Sequence, residues 1–312
     1  MNKYFINSNK IYSAPADIPG GSLNDKVKLT KSDCSVIYEI YDQLLKQHPQ
    51  YITKTVLGNA FGYPINSYSI KNFKMQNFSP FQAKRVKICI ITSIHGYEQG
   101  CAWTCAHFFK QMLTNPDDEI LGFLLRNVDF EVVPVLNPWG FKNNDRKNGN
   151  KVDLNRNFPM GFTGLKDVED EIYPGPEPLS ETETKIITEF IEKHLDASLV
   201  LDYHNIYGGY PLFYVYSEKD VQLAQSVFTQ LTDKWTKEYS QLPKDQILGL
   251  VRPNGNSGMF ADYLLSKNLW VLTMETPWCM PVIAKEQYDS VTIKCALEVL
   301  VNTINTIVHS FL

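Results

Sequence analysis

The stretch Ile-Thr-Ser-Ile-His95-Gly-Tyr-Glu98 puts an imidazole and a carboxylate three residues apart at the end of an apolar run. On one turn of backbone, both side chains can face a single cation. A second histidine from elsewhere would complete a two-His, one-Glu site with one position open for water, the donor set of catalytic zinc. Alone the pair says little, because a hydrogen-bonded histidine at a strand end accounts for it equally well. The second piece is Asp202-Tyr-His204-Asn. The chain has six histidines, and His48, His107, His194 and His309 lie in helical or turn contexts without a carboxylate partner pattern. His204 is therefore the candidate second ligand. Asp202 is read as facing the core or a helix and is not assigned to it.

Two further segments could do chemistry. Val152-Asp153-Leu-Asn155-Arg156-Asn157-Phe158 is a dense polar run in an apolar frame. An amide beside a guanidinium suits bidentate capture of a carboxylate. Upstream, Asn137-Pro138-Trp139-Gly140-Phe141 reads as a tight turn leaving a strand, and Arg146 follows in a loop of Asn, Asp and Lys. By itself Arg146 is a solvated loop charge. Leu272-Thr-Met-Glu275-Thr-Pro ends an apolar strand with a lone acid. A carboxylate so placed is costly unless paired or functional. Beside activated water it can take a proton and later pass it to a leaving amine.

These residues need elements that bring them together. Val86–Ser93, Val128–Leu136, Ser198–Tyr203 and Leu269–Met274 read as buried strands, short and rich in β-branched, Leu and aromatic residues. Helices are expected over 32–47, capped by Ser32 or Asp33 and ended by His48-Pro49, and over Gln99–Leu113 and Thr182–Lys193. Tyr51–Ile70, with Gly58 and Gly62-Tyr63-Pro64 as turn signals, reads as a hairpin. Strands alternating with helices imply a single α/β domain, its sheet mixed but mostly parallel, with helices on both faces. His95 and Glu98, Asn137, His204 and Glu275 each follow one of the four strands. Ligands of open α/β sheets bind outside the carboxyl ends of strands, so the four segments converge on one edge. Residues 1–30, with Pro15, Pro19, Gly20 and Gly21, read as a loose leader before a domain over 31–312.

Composition narrows the function class. The 312 residues are 44% hydrophobic, enough for one large core, and the net charge of −4 argues against a nucleic-acid partner. The cluster Lys84, Arg85 and Lys87 reads as a solvated strand entry. No CxxC pair occurs among the six cysteines, and Cys101 and Cys105, one helical turn apart, read as small buried hydrophobes. No apolar run reaches the ~20 residues of a membrane span, and the polar N-terminus has no signal-peptide core, so a cytoplasmic protein without membrane contact is expected.

Taken in order, His95-Gly-Tyr-Glu98, Asn137-Pro-Trp-Gly140, Arg146, Asp153-Leu-Asn155-Arg156-Asn157, His204 and Glu275 resemble the motif series of the M14 zinc carboxypeptidases. The resemblance covers roughly residues 30–312. It implies one Zn²⁺ held by His95, Glu98 and His204, with Asp153 supporting His95. It further implies Asn155 and Arg156 on the substrate's C-terminal carboxylate, Arg146 on the scissile carbonyl, and Glu275 as general base and acid for a zinc-activated water. The implied substrate is a peptide or amide with a free carboxylate. Trp139 departs from the family's Asp at the turn. The family's capping tyrosine falls near Pro253, where no tyrosine stands; Tyr263, Tyr207 and Tyr210 are alternatives for its place, and spacing selects none of them. Met259 or Phe260 at the pocket floor implies an apolar or aromatic side chain. Two rival readings share these motifs: a zinc deacylase of N-acyl amino acids, resembling aspartoacylase or succinylglutamate desuccinylase, and a non-catalytic binding module. The deacylase relatives carry a further β-rich domain after the Glu, whereas here a closing helix over 285–308 is expected.

Overall fold

A strand that is apolar at nearly every position must be covered on both faces. In the computed structural model, which describes residues 33–72, 85–164, 167–206, 210–238, 247–253, 257–277 and 290–311, that is how the central sheet is built. Ile88 and Ile90, Phe130 and Val132, Leu199 and Leu201, and Leu272 and Met274 join one buried cluster. Cys89 and Ile91, Val133, Val200 and Val271 join the other. The expected leader over 1–30 lies outside the described residues, as does Cys279.

Eight strands form one sheet: β1 Ile52–Ala60, β2 Tyr63–Ile70, β3 Val86–Thr92, β4 Val128–Val133, β5 Leu199–Ile206, β6 Leu212–Tyr214, β7 Gly249–Val251 and β8 Val271–Pro277. Their order is β1-β2-β4-β3-β5-β8-β6-β7. The central strands β4, β3, β5 and β8 run parallel, while β2 joins β4 and β6 joins β8 antiparallel. The helices are α1 Ser35–Gln47, α2 Gln99–Thr114, α3 Glu119–Asn127, α4 Pro138–Asn143, α5 Thr182–Glu192, α6 Glu218–Glu238, α7 Phe260–Ser266 and α8 Ser290–Phe311. The first core cluster takes side chains from α1, α2, α3, α6 and α8. The second takes them from α5 and α7. The expected α/β class, with helices on both faces, is what the fold displays.

Several local expectations shift. β4 stops at Val133 rather than Leu136, because Pro134 has no N–H to give the ladder. The turn after it is the short helix α4, whose exposed donor at Gly140 is satisfied by Asn137 Oδ1 at 2.9 Å, with Pro138 in the first turn. Gly58 is no turn but a bulge within β1, and a β-carbon there would stand 2.5 Å from Ile186 Cδ1. The hairpin turns at Gly62 as expected, together with Phe61, and their φ angles of 84° and 52° give the left-handed pair such turns need. Arg85 is not a solvated charge. It pairs with Asp129 at 2.6 Å and donates to the carbonyls of Leu125 and Val128 at the end of α3. Asp33 Oδ1 accepts from the Ser35 N–H at 3.2 Å, although Cys34 is the residue that bounds α1. The five described cysteines are buried thiols. Among the described residues no helix is long and apolar enough to cross a membrane.

Topology decides where a ligand can enter. The chain leaves β3 for β4 on one side and reaches β5 on the other. Crossovers diverge there, opening a crevice beyond the carboxyl end of β3. The loop from Asn144 to Asp153 lines that crevice and is fastened from below. Asn148 donates to Glu181 at 2.7 Å and sits 3.3 Å from both oxygens of Glu183, while its own Oδ1 accepts from the Val152 N–H at 3.1 Å. Burial pushes the Glu183 carboxyl up to about 7, with the neighbouring Glu181 charge acting in the same direction. A raised acid favours the folded state while it stays protonated, so this contribution is complete below the ordinary glutamate value and is lost as pH rises toward 7. Glu183→Gln should therefore flatten the stability profile between roughly pH 4.5 and 8 by about 3 kcal/mol relative to wild type. Denaturant unfolding at closely spaced pH values reads this directly, and parallel profiles for the two proteins would contradict it.

Candidate metal centre and active site

β3 ends at Thr92, and Ser93 takes a left-handed φ of 54° that turns the chain out of the sheet. His95 and Glu98 follow within one turn, just ahead of α2. His204 and Glu275 lie inside β5 and β8 rather than beyond them, and they are directly paired in the parallel register. Both strands thus run on past the point expected from apolar content, since side chains at a site need no apolar neighbours to keep the ladder.

The Glu98 carboxylate is shared. Its Oε1 lies 2.7 Å from His95 Nδ1, and its Oε2 lies 2.9 Å from His204 Nδ1. The Asn205 N–H adds a third contact to Oε2 at 3.1 Å. One donor atom from each of His95, Glu98 and His204 lies within 4.8 Å of the others, and all three residues are buried. Burial alone would raise the Glu98 carboxyl, but the two imidazoles hold it well below the usual range. At His204 burial opposes the charged ring, yet Asp202 and Glu98 outweigh it and raise its pKa well above the ordinary value. Two imidazoles and one carboxylate converging in this way are a donor set that fits zinc.

The far nitrogens are also held. His95 Nε2 lies 3.2 Å from Asp153 Oδ1, and His204 Nε2 lies 2.9 Å from Asp202 Oδ1. The second contact departs from the expectation that Asp202 faces the core or a helix. Residues two apart on a strand share a face, so Asp202 and His204 point the same way. Asp153 Oδ2 accepts from Arg146 Nε at 3.1 Å and Nη2 at 2.9 Å. Burial would lift the Asp153 carboxyl, and His95 with Arg146 holds it well below the usual range. Arg146 Nη1 reaches the Tyr97 hydroxyl at 3.4 Å.

His95, Glu98, His204, Asp202, Arg146 and Tyr97 line one cavity of about 620 Å³ together with Asn155, Arg156, Tyr214, Met259, Thr273 and Glu275, while Asp153 lies behind them. Asn155 is locked by its Oδ1, which accepts from the Phe260 N–H at 2.8 Å. Arg156 gives one bond to the Asn155 carbonyl at 2.6 Å and forms no ion pair with a described carboxylate. Of the two expected floor residues, Met259 lines the cavity while Phe260 packs against Phe158 in the core. Glu275 has its carboxyl raised, burial being the largest cause and the Glu98 charge adding to it.

Residues 37–279 match the family model described as zinc carboxypeptidase, Peptidase_M14. The chain belongs to the zinc carboxypeptidase family. It is 30% identical to carboxypeptidase A1 of Rattus norvegicus over 224 residues, 63% of this chain and 51% of that protein. It is 28% identical to carboxypeptidase A5 of Homo sapiens over 253 residues, 75% of this chain and 53% of that one. The chain thus spans about half the length of these curated relatives. Among solved structures, the carboxypeptidase A of Helicoverpa armigera superposes with a TM-score of 0.69 at 22% identity, covering 91% of this chain and 77% of that one. At that identity the likeness speaks for the fold.

In this zinc carboxypeptidase chain the tyrosines do not sit where sequence spacing looked for them. Tyr263 points away from the cavity, its hydroxyl donating to Glu192 at 2.9 Å, and Tyr207 lies outside the described residues. Tyr214 lines the cavity beside Glu275, and its phenol is pushed up to about 12 by burial first and by the Glu275 carboxylate second. β6 is only three residues long and gave no signal in the sequence. Its register sets Leu212 opposite Glu275 and Tyr214 opposite Thr273, so the Tyr214 ring reaches Glu275 on the diagonal. Trp139, at the family's Asp position, packs on Phe61 with ring centroids 6.2 Å apart.

Between the two halves of the site, backbones touch. A β-carbon built on Gly96 would stand 2.0 Å from the Gly140 carbonyl carbon and 2.2 Å from the Phe141 nitrogen. Gly96→Ala should therefore push the His95–Glu98 turn away from α4, costing about 1–3 kcal/mol as an overpacked position does. It should also weaken metal retention. Unfolding midpoints and bound-metal analysis test this, and a variant with wild-type stability and metal would refute the close approach.

Proposed function

We propose that the protein is a zinc metallocarboxypeptidase, hydrolysing a peptide bond next to a free C-terminal carboxylate. The carrying observation is the buried His95–Glu98–His204 cluster in the same cavity as Glu275 and an Arg156 without a described carboxylate partner. One zinc ion held by His95, Glu98 and His204 would supply Lewis acidity and make water a nucleophile near neutral pH. Glu275, whose raised carboxyl is closer to neutrality than an ordinary glutamate, takes the proton of the attacking water and later delivers it to the leaving amine. Arg146, anchored through Asp153, presents its remaining donors to the oxygen on which negative charge grows. Arg156 and the Asn155 amide hold the terminal carboxylate, which fixes the scissile bond one residue inward.

Glu275→Gln should keep its metal and lose about 10²–10⁴-fold in kcat. His204→Ala should lose the metal itself. Metal analysis beside steady-state kinetics checks both, and full turnover by Glu275→Gln would sink its assignment. The substrate class separates this reading from the deacylase. A peptide with a free C-terminus should exceed its C-terminal amide by about 10–100-fold in kcat/KM, the range for a hydrogen bond to a charged group. Turnover of N-acyl amino acids alone would select the deacylase instead.

A further inference from the structure

Each histidine of the cluster has two ring nitrogens, and both rings are arranged alike. Nδ1 of His95 and of His204 faces Glu98, while Nε2 of each faces a buried carboxylate. A ring that gives its Nδ1 lone pair to a cation must carry its proton on Nε2. Asp153 meets that proton at His95, and Asp202 stands in the corresponding place at His204.

The two carboxylates are not equivalent. Asp153 also holds the Arg146 guanidinium, so a fixed positive charge compensates it whatever His95 does. Among the described residues Asp202 has one ion-pair partner, His204. Its other oxygen lies 3.3 Å from the Thr273 hydroxyl, which in turn lies 2.9 Å from the Tyr216 hydroxyl. Asp202 is 1% exposed. A carboxylate so buried is unfavourable unless its partner offsets the lost hydration. The partner here is the imidazole, and its donor strength grows when a cation draws electrons through Nδ1.

We infer that Asp202 is a positioning residue for His204, fixing the ring with Nδ1 toward the metal and strengthening it as a ligand. This rests on the zinc reading above. The pairing makes His204 the ligand more sensitive to its carboxylate, because no guanidinium shares the load.

The experiment is zinc affinity by chelator competition on the full chain. Asp202→Asn keeps the shape and removes the charge, and should weaken zinc binding about 10–100-fold, with Asp202→Ala weaker still. The visible spectrum of the cobalt-substituted protein should shift in Asp202→Asn, a change in the ligand field that a merely structural role would not produce. Thr273→Val leaves the Asp202–His204 contact in place and should keep zinc affinity within about threefold. Should Asp202→Ala fail to fold, the Asn variant and the cobalt spectrum decide. Zinc affinity of Asp202→Asn within about twofold of wild type, or an equal loss in Thr273→Val, overturns the pairing. A wild-type protein that takes up no zinc, or a His204→Ala variant that keeps it, overturns the metal reading as well.

Discussion

Everything around the site follows from keeping one carboxylate charged out of water. Glu98 is buried, and burial by itself would neutralise it. Two imidazoles and a backbone N–H restore the solvation it lost. Those imidazoles must then be oriented, which requires a second tier of buried carboxylates. Asp153 in turn requires a cation of its own, which Arg146 supplies. Charge compensation thus spreads outward in steps until it reaches groups near the cavity mouth. Removing one member would strand its neighbour without a partner, and that is costlier than never having the pair at all.

A sheet is well suited to hold such a construction. Parallel pairing of β3, β5 and β8 sets Asp202 opposite Thr273 and His204 opposite Glu275 within rigid ladders, so two ranks of polar side chains rise from one surface. Their opposite faces are apolar and locked into a core. The loop carrying Arg146 and Asp153 has no ladder to rely on. It is tied by Asn148 to the acids at the start of α5, and by Asn137, whose side-chain amide contacts the carbonyls of Ile94 and Arg146 at 3.4 Å each. Loop precision therefore comes from side-chain amides rather than from secondary structure.

The hairpin and the four central strands were legible in the sequence because buried strands announce themselves as short apolar runs, and α1, α2 and α5 by their helical spacing, whereas α3, α6, α7 and β7 were not. The ordered polar motifs were legible too, each being dense enough to stand out against that background. Boundaries at the site were not. His204 and Glu275 interrupt apolar runs, so the strands seemed to end where in fact they continue. Asp202 was legible as well, since the two-residue repeat of a strand puts it on the same face as His204. Tyr214 could not be found, because a three-residue edge strand has no periodicity and its reach depends on the register with β8. Met259 and Phe260 differ in fate for a similar reason, as one turn of helix start sends one into the cavity and the other into the core.

The grip of Asp153 on Arg146 leaves that guanidinium lopsided. Nε and Nη2 are committed along one edge, whereas Nη1 at the opposite corner rests against the Tyr97 hydroxyl at 3.4 Å, the longest of the three contacts. An incoming carbonyl oxygen would meet Nη1, and it would trade places with a phenol held at the outer limit of a hydrogen bond. On the reading proposed above, Tyr97 would hold that oxygen's place in the free protein, while the edge bound to Asp153 keeps the guanidinium anchored.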